Sequence, residues 1–272
     1  MKLSEIPRDK RVLVIGGSGT GKSHLIGTLC QLLPTLVVTS DPETLDTIAS
    51  MGLDPDVVLI EDWRKIQEYE QTIARLSPSF PAIAIDDIGS LQTVAKAKVL
   101  YMPRSAGESQ AARKYQAFQE QVKRELLLGE RGLRFQSGDW PSIFAAMETL
   151  LMDILDMPFK VKLVTALESV MKSPRDGQDR LYPALDGQLR TVISSHFSLV
   201  GELFIEESSG YCATCRSHPK IETKSRYGKG RTWVNPDMAE ILAYMNGKGK
   251  EETDEEHKIG TGLVINNRED RT

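Results

Sequence analysis

Cysteine is scarce in this chain, with three residues in 272. Three cysteines cannot form the paired framework of a small secreted scaffold, so a reducing compartment is the expected setting. Long apolar runs are also missing, and no stretch approaches the length needed to cross a bilayer, so no membrane partner is expected. The first residues, MKLSEIPRDKR, carry no apolar signal core, which points to the cytoplasm. Basic charge is not in excess, because Lys and Arg total 34 against 38 Asp and Glu, for a formal net charge of -4. That balance excludes a non-specific nucleic-acid coat and leaves room only for a local basic channel. No internal repeat is visible. The remainder is ordinary for a soluble protein, 40% hydrophobic and 26% charged. A chain of this length buries roughly three quarters of its unfolded surface, enough for one large core.

The chemistry begins with RVLVIGGSGTGKSHLIGTL at residues 11–29. An apolar run at 12–15 reads as a buried strand, and Leu25, Ile26 and Leu29 carry helical spacing. Between them, Gly16, Gly17, Ser18, Gly19, Thr20, Gly21, Lys22 and Ser23 match G-x-x-x-x-G-K-[ST] in its strand–loop–helix setting. Glycine lets the loop curl until successive N–H groups face phosphate oxygens, and the helix adds its positive dipole end. Lys22 is expected to meet the β- and γ-phosphates of ATP, and Ser23 to ligate Mg2+. His24, just inside the helix, is counted with the nucleotide-binding loop, and reads as a helix-face residue rather than an acid or base.

Downstream, strands are expected at 36–39, 57–60, 80–87, 161–166 and 199–205. Helices are expected through Leu45 and Ile48, over 66–76, from Trp140 to Ile154, over 189–197 and over 236–245. The run FPAIAIDD is an apolar strand ending in aspartate. Downstream of a phosphate loop, this places Asp86 at a strand's C-terminal edge as a magnesium carboxylate. Residues 98–139 are polar, helix-leaning and mixed in charge, and read as a solvated helical insertion. Residues 171–180 read as a polar loop, with no aromatic residue interleaved for base stacking. From 247 to 272 the chain has too few apolar residues to pack and reads as a disordered, partly acidic tail. The alternation of strands and helices predicts an α/β fold, a mostly parallel sheet with helices on both faces.

Several stretches together resemble the phage-type, RecA-like P-loop NTPases, in particular the phage group allied to RecA and described as single-strand annealing proteins. They are GGSGTGKS, SDPE after the second strand, AIAIDD, VKLVTALE, LYPALDGQL with HFSLVGEL, and KSRYGKGRTWVNPDMAEIL. The likeness spans roughly residues 8–245 and implies one RecA-like domain over 1–246. It implies a water-polarising glutamate after the second strand, where Glu43 stands, although Ser40 and Glu43 also make a helix capping box. Asp87, beside the magnesium aspartate, is the competing candidate for that role. The Lys-x-Arg element implies that Lys224 and Arg226 complete the site of a neighbouring subunit, so a homo-oligomer is expected. At the end of the 161–166 strand the family often carries a polar γ-phosphate sensor, and here Leu167 stands there, followed by Glu168. The 171–180 loop corresponds by position to a mobile DNA-contacting loop.

Cys212 and Cys215 form a C-x-x-C with His218 close behind, one ligand short of a convincing zinc set. Trp63, Trp140 and Trp233 read as packing anchors. The resemblance thus implies a magnesium-dependent ATPase that acts as an oligomer on single-stranded DNA in recombination or annealing. The alternatives are a nucleotide-gated adaptor with negligible turnover and a DNA motor subunit.

Overall fold

The computed structural model describes residues 9–101, 140–173, 177–218, 220–221 and 223–247. The expected insertion, beyond its first residues, and the expected tail, beyond residue 247, lie outside the described residues.

The strands are short and apolar, as burial on both faces requires. They are β1 (Lys10–Gly16), β2 (Thr35–Thr39), β3 (Asp56–Leu59), β4 (Ala82–Ile85), β5 (Val161–Ala166) and β8 (Leu199–Glu206). All six are parallel, in the order β8-β1-β5-β4-β2-β3. Three further strands extend the β8 side antiparallel: β9 (Gly210–Thr214), β10 (Lys224–Ser225) and β11 (Thr232–Val234). The result is one nine-stranded sheet.

Alternation along each strand feeds two cores. Leu13, Ile15, Leu36, Val38, Ile83, Ile85 and Val164 face one side, against α3 (Ile66–Leu76), α4 (Ile88–Tyr101) and α5 (Trp140–Asp156). Val12, Val14, Val37, Ala84 and Leu163 face the other, against α1 (Lys22–Leu32), α2 (Leu45–Ser50) and α7 (Met238–Met245). Each buried aliphatic side chain contributes about 1.5–3 kcal/mol. The chain therefore has the α/β, mostly parallel architecture expected, with helices on both faces. Trp63 and Trp233 are buried packing residues.

Two local readings differ. The expected loop at 171–180 is framed by an antiparallel hairpin, β6 (Glu168–Lys172) with β7 (Asp179–Pro183), forming its own two-stranded sheet. Val170 and Met171 are exposed, so the hairpin offers no apolar alternation to read. The expected helix at 189–197 is a short α6 (Leu189–Val192) continued as a 3-10 turn over Ile193–His196.

Candidate functional site

The order of the strands places the site. β5 lies between the strand that feeds the glycine loop and the strand that ends in aspartate, and all run the same way. Their C-terminal ends, with that of β2, open on one crevice, where ligands of such sheets bind. That crevice is a cavity of about 640 Å3, lined by the loop from Ser18 to His24 and by Asp41, Thr44, Asp86, Asp87, Leu167 and Tyr211, among others. A nucleotide fits that volume.

The loop is shaped by its glycines. Gly21 caps α1 at φ 94, a left-handed conformation, with no side chain closing the helix end. The first N–H groups of α1 therefore stay directed at the cleft, where an anion would meet them. Gly16 is required for another reason. A Cβ there would lie 2.6 Å from Thr20 Oγ1 and 2.7 Å from Leu203 O. Lys22 is buried, and its ammonium donates to Gly16 O at 2.8 Å and Gly17 O at 2.6 Å. Burial draws the Lys22 pKa below its ordinary value, and the charges of Asp87, Asp86 and Glu168 oppose that shift.

Asp86 is 1% exposed and joins two elements. It accepts from Ser23 Oγ at 3.0 Å and from Thr165 Oγ1 at 2.8 Å. A hydroxyl and a carboxylate converging beneath a phosphate loop are hard oxygen donors of the kind magnesium takes. The residues present thus fit a magnesium nucleotide, with Ser23 and Asp86 on the metal side and the loop on the phosphate side.

Asp87 has φ 52, a left-handed conformation that aspartate tolerates better than most residues. Its N–H donates to Thr165 Oγ1 at 2.9 Å, and its Oδ1 accepts from Gly89 N at 3.1 Å. Burial raises the Asp87 pKa, while the backbone N–H groups of Gly89 and Leu167 oppose the rise. A carboxylate so placed lies at the cleft wall and can accept a proton or orient water.

Glu43 is placed differently. It is exposed, in the 3-10 turn Pro42–Thr44, and it is not among the cleft-lining residues, although Asp41 and Thr44 are. The expected capping box is not formed. Asp41 Oδ1 accepts the Glu43 N–H at 3.1 Å, and the Ser40 hydroxyl donates to Ser90 Oγ instead.

Lys224 and Arg226 are not brought to the cleft of their own chain. β10 pairs with the start of β8, where Lys224 faces Val200, whereas Gly16 is level with Leu203 further along. Lys224 Nζ donates to Ser194 O at 3.0 Å and Ser195 O at 3.4 Å. Arg226 is exposed. The thiols of Cys212 and Cys215 are buried and point to different partners. Cys212 Sγ reaches Glu206 Oε2 at 4.0 Å, and Cys215 Sγ accepts from Arg231 N at 3.3 Å.

Three site residues were not singled out from the sequence. Thr165 braces both aspartates from β5, two residues before Leu167. Tyr211 from β9 and Asn235 after β11 close the cleft wall beside Gly21, with Asn235 N donating to Tyr211 O at 2.6 Å. Thr165 lies within VKLVTALE, one of the stretches that carry the resemblance, but its residue type alone did not single it out.

Among solved structures, the RadB recombinase is similar at 9% identity over 82% of this chain and 84% of its own, with a TM-score of 0.42. The P4 protein from bacteriophage phi13 is similar at 13% identity with a TM-score of 0.31, covering 78% of this chain and 56% of that protein. Likenesses this distant carry no argument about activity. No curated protein matches the chain. Residues 8–227, well over half of the chain, match the family AAA_24, described as an AAA domain, and the chain with its nucleotide-binding P-loop belongs to that family.

Proposed function

We propose that this protein is a magnesium-dependent ATPase that works as a homo-oligomer on single-stranded DNA, in phage recombination or strand annealing. One observation carries the reading: the glycine loop, the Ser23–Asp86 pair and the half-buried Asp87 converge on a single cleft. Lys22 and the N–H groups of the loop hold the phosphates and offset the charge that develops on the γ-phosphate. Bound there, magnesium would supply Lewis-acid stabilisation of the phosphate oxygens. Asp87 orients the attacking water, a role favoured over Glu43 by its place in the cleft wall.

The oligomer is supported by the far position of Arg226, which serves no group in its own cleft. An exposed guanidinium there suits the cleft of another copy, an arrangement worth about 10³–10⁵ in rate in well-studied cases. Coupling to DNA is supported by the chain path. Leu167 lines the cleft, and the next residue begins the β6–β7 hairpin with its exposed Val170 and Met171.

The test is ATP turnover per subunit against protein concentration, with and without single-stranded DNA. The reading expects turnover to rise with concentration and again with DNA. A flat, DNA-blind, near-zero rate despite ATP binding would favour the nucleotide-gated adaptor, a reading that the apolar Leu167 at the sensor position supports.

A further inference from the structure

A second cavity, of about 490 Å3, lies away from the nucleotide cleft, between the β6–β7 hairpin and the helical turn at 189–196. Its character differs from that of the first. Arg180, His218 and Lys224 bring basic groups to its wall, several hydroxyls join them, and no carboxylate lines it among the described residues. Tyr182 and Ile221, both nearly fully buried, provide an apolar floor.

The walls are tied together by backbone bonds. Leu181 N donates to Lys220 O at 2.7 Å, and Leu181 bridges Ile221. These contacts fix the hairpin against the segment that carries His218 and Lys224. Lys224 is held in place by the carbonyls of Ser194 and Ser195, which keeps its charge at the rim. Ser194 supplies an independent sign of a ligand. It is 4% exposed, lines this cavity, and its Oγ has no hydrogen-bond partner among the described residues. Buried hydroxyls in folded proteins are almost always bonded, and an orphan inside a polar cavity indicates a partner supplied from outside the chain.

We propose that this cavity is a second ligand site, which takes a small phosphate ester no larger than a mononucleotide. Basic groups with hydroxyl donors and no carboxylate select an anion with several acceptor oxygens. The volume exceeds what a bare phosphate fills and falls in the range of small-molecule sites. The apolar floor suits the carbon skeleton of such an ester. This inference is independent of the ATPase reading, since none of these residues lines the P-loop cleft.

The experiment is calorimetric titration of the full chain with ribose 5-phosphate, in the wild type and in Lys22→Ala, Arg180→Gln and Ser194→Ala variants. The expected result is saturable binding that Lys22→Ala leaves intact, that Arg180→Gln weakens at least about tenfold, and that Ser194→Ala weakens several-fold. Ser194→Ala removes only one oxygen, so it reads the site even if the arginine variant misfolds. Binding that is lost in Lys22→Ala would place the ligand in the P-loop and overturn the inference. So would wild-type affinity in both pocket variants, or no saturable binding in the wild type. A single-stranded oligonucleotide that binds more tightly than ribose 5-phosphate and displaces it competitively would reassign the pocket to a nucleic-acid strand, which also overturns the inference.

Discussion

The Thr165 hydroxyl donates to Asp86 Oδ1 across 2.8 Å, at a sheet edge where neither residue meets solvent. The same oxygen accepts the Asp87 N–H. One β-branched residue of β5 thus aligns the carboxylate on the magnesium side and the backbone of the carboxylate beside it. Replacing Thr165 with Val keeps the shape and deletes both bonds. Leaving a buried donor unpaired costs about 1–3 kcal/mol, to be read by urea denaturation. Loss of an outer-shell partner should also weaken magnesium-dependent nucleotide binding about 10–100-fold. Unchanged stability and affinity would show that Asp86 needs no brace.

The two carboxylates proposed for the water-orienting role separate cleanly. Asp87 sits in the cleft wall and Glu43 sits outside it. Asp87→Asn should lower ATP turnover about 10²–10⁴-fold, with nucleotide affinity largely kept. Glu43→Ala should stay within a few-fold of wild type. Steady-state hydrolysis of the two variants checks this, and the reverse ranking would restore Glu43.

The glycine loop has a steric requirement at its first position. Gly16→Ala would press a methyl group within 2.7 Å of the Leu203 carbonyl, which belongs to a neighbouring strand and cannot swing away. The variant should lose about 1–3 kcal/mol of stability and most of its ATP affinity. Binding at wild-type strength would show that the loop tolerates displacement.

Much of this site was legible because its chemistry is contiguous in the chain. Residues 16–23 and the AIAIDD strand each carry their own context, so Lys22, Ser23 and Asp86 were placed from residue order alone. Asp87 and Glu43 could not be ranked that way, since both follow strands that end at the same edge. Their difference lies in which way a short turn presents a side chain. Tyr211 and Asn235 were out of reach for a different reason. They arrive on β9, which forms a hairpin with β8, and after β11, which pairs with β9, and both strands are too short to show alternation. The β6–β7 hairpin forms its own two-stranded sheet and its β6 strand is mostly exposed, so the segment read as a loop.

Stability should depend on pH through Glu202. This β8 residue faces Ile15 on one side and Thr214 on the other, and burial, aided by the charge of Glu168, raises its pKa to about 7. The native state therefore binds more protons than the unfolded chain between the ordinary glutamate value of 4.5 and about 7. By linkage, stability is greatest below that window and falls as pH rises through it, by up to about 3 kcal/mol. Denaturant midpoints measured from pH 5 to pH 8 should fall in the wild type and fall less in Glu202→Gln. Identical slopes in the two proteins would refute the assignment.

Completion of the cleft by a neighbour predicts complementation. Lys22→Ala lacks its own cleft lysine, and Arg226→Ala lacks the residue it would lend. Mixed, the two should recover ATPase activity well above their sum, because some interfaces pair an intact cleft with an intact arginine. No recovery, together with normal activity of Arg226→Ala alone, would remove the trans role.

The central claim is that the cleft beneath the glycine loop is where ATP is held and hydrolysed. Its most direct test is magnesium-dependent ATP turnover of Lys22→Ala beside the wild type, at the same concentration and with single-stranded DNA present. The account predicts measurable wild-type turnover and a loss of at least about a hundredfold in the variant. Equal turnover in the two proteins would contradict it.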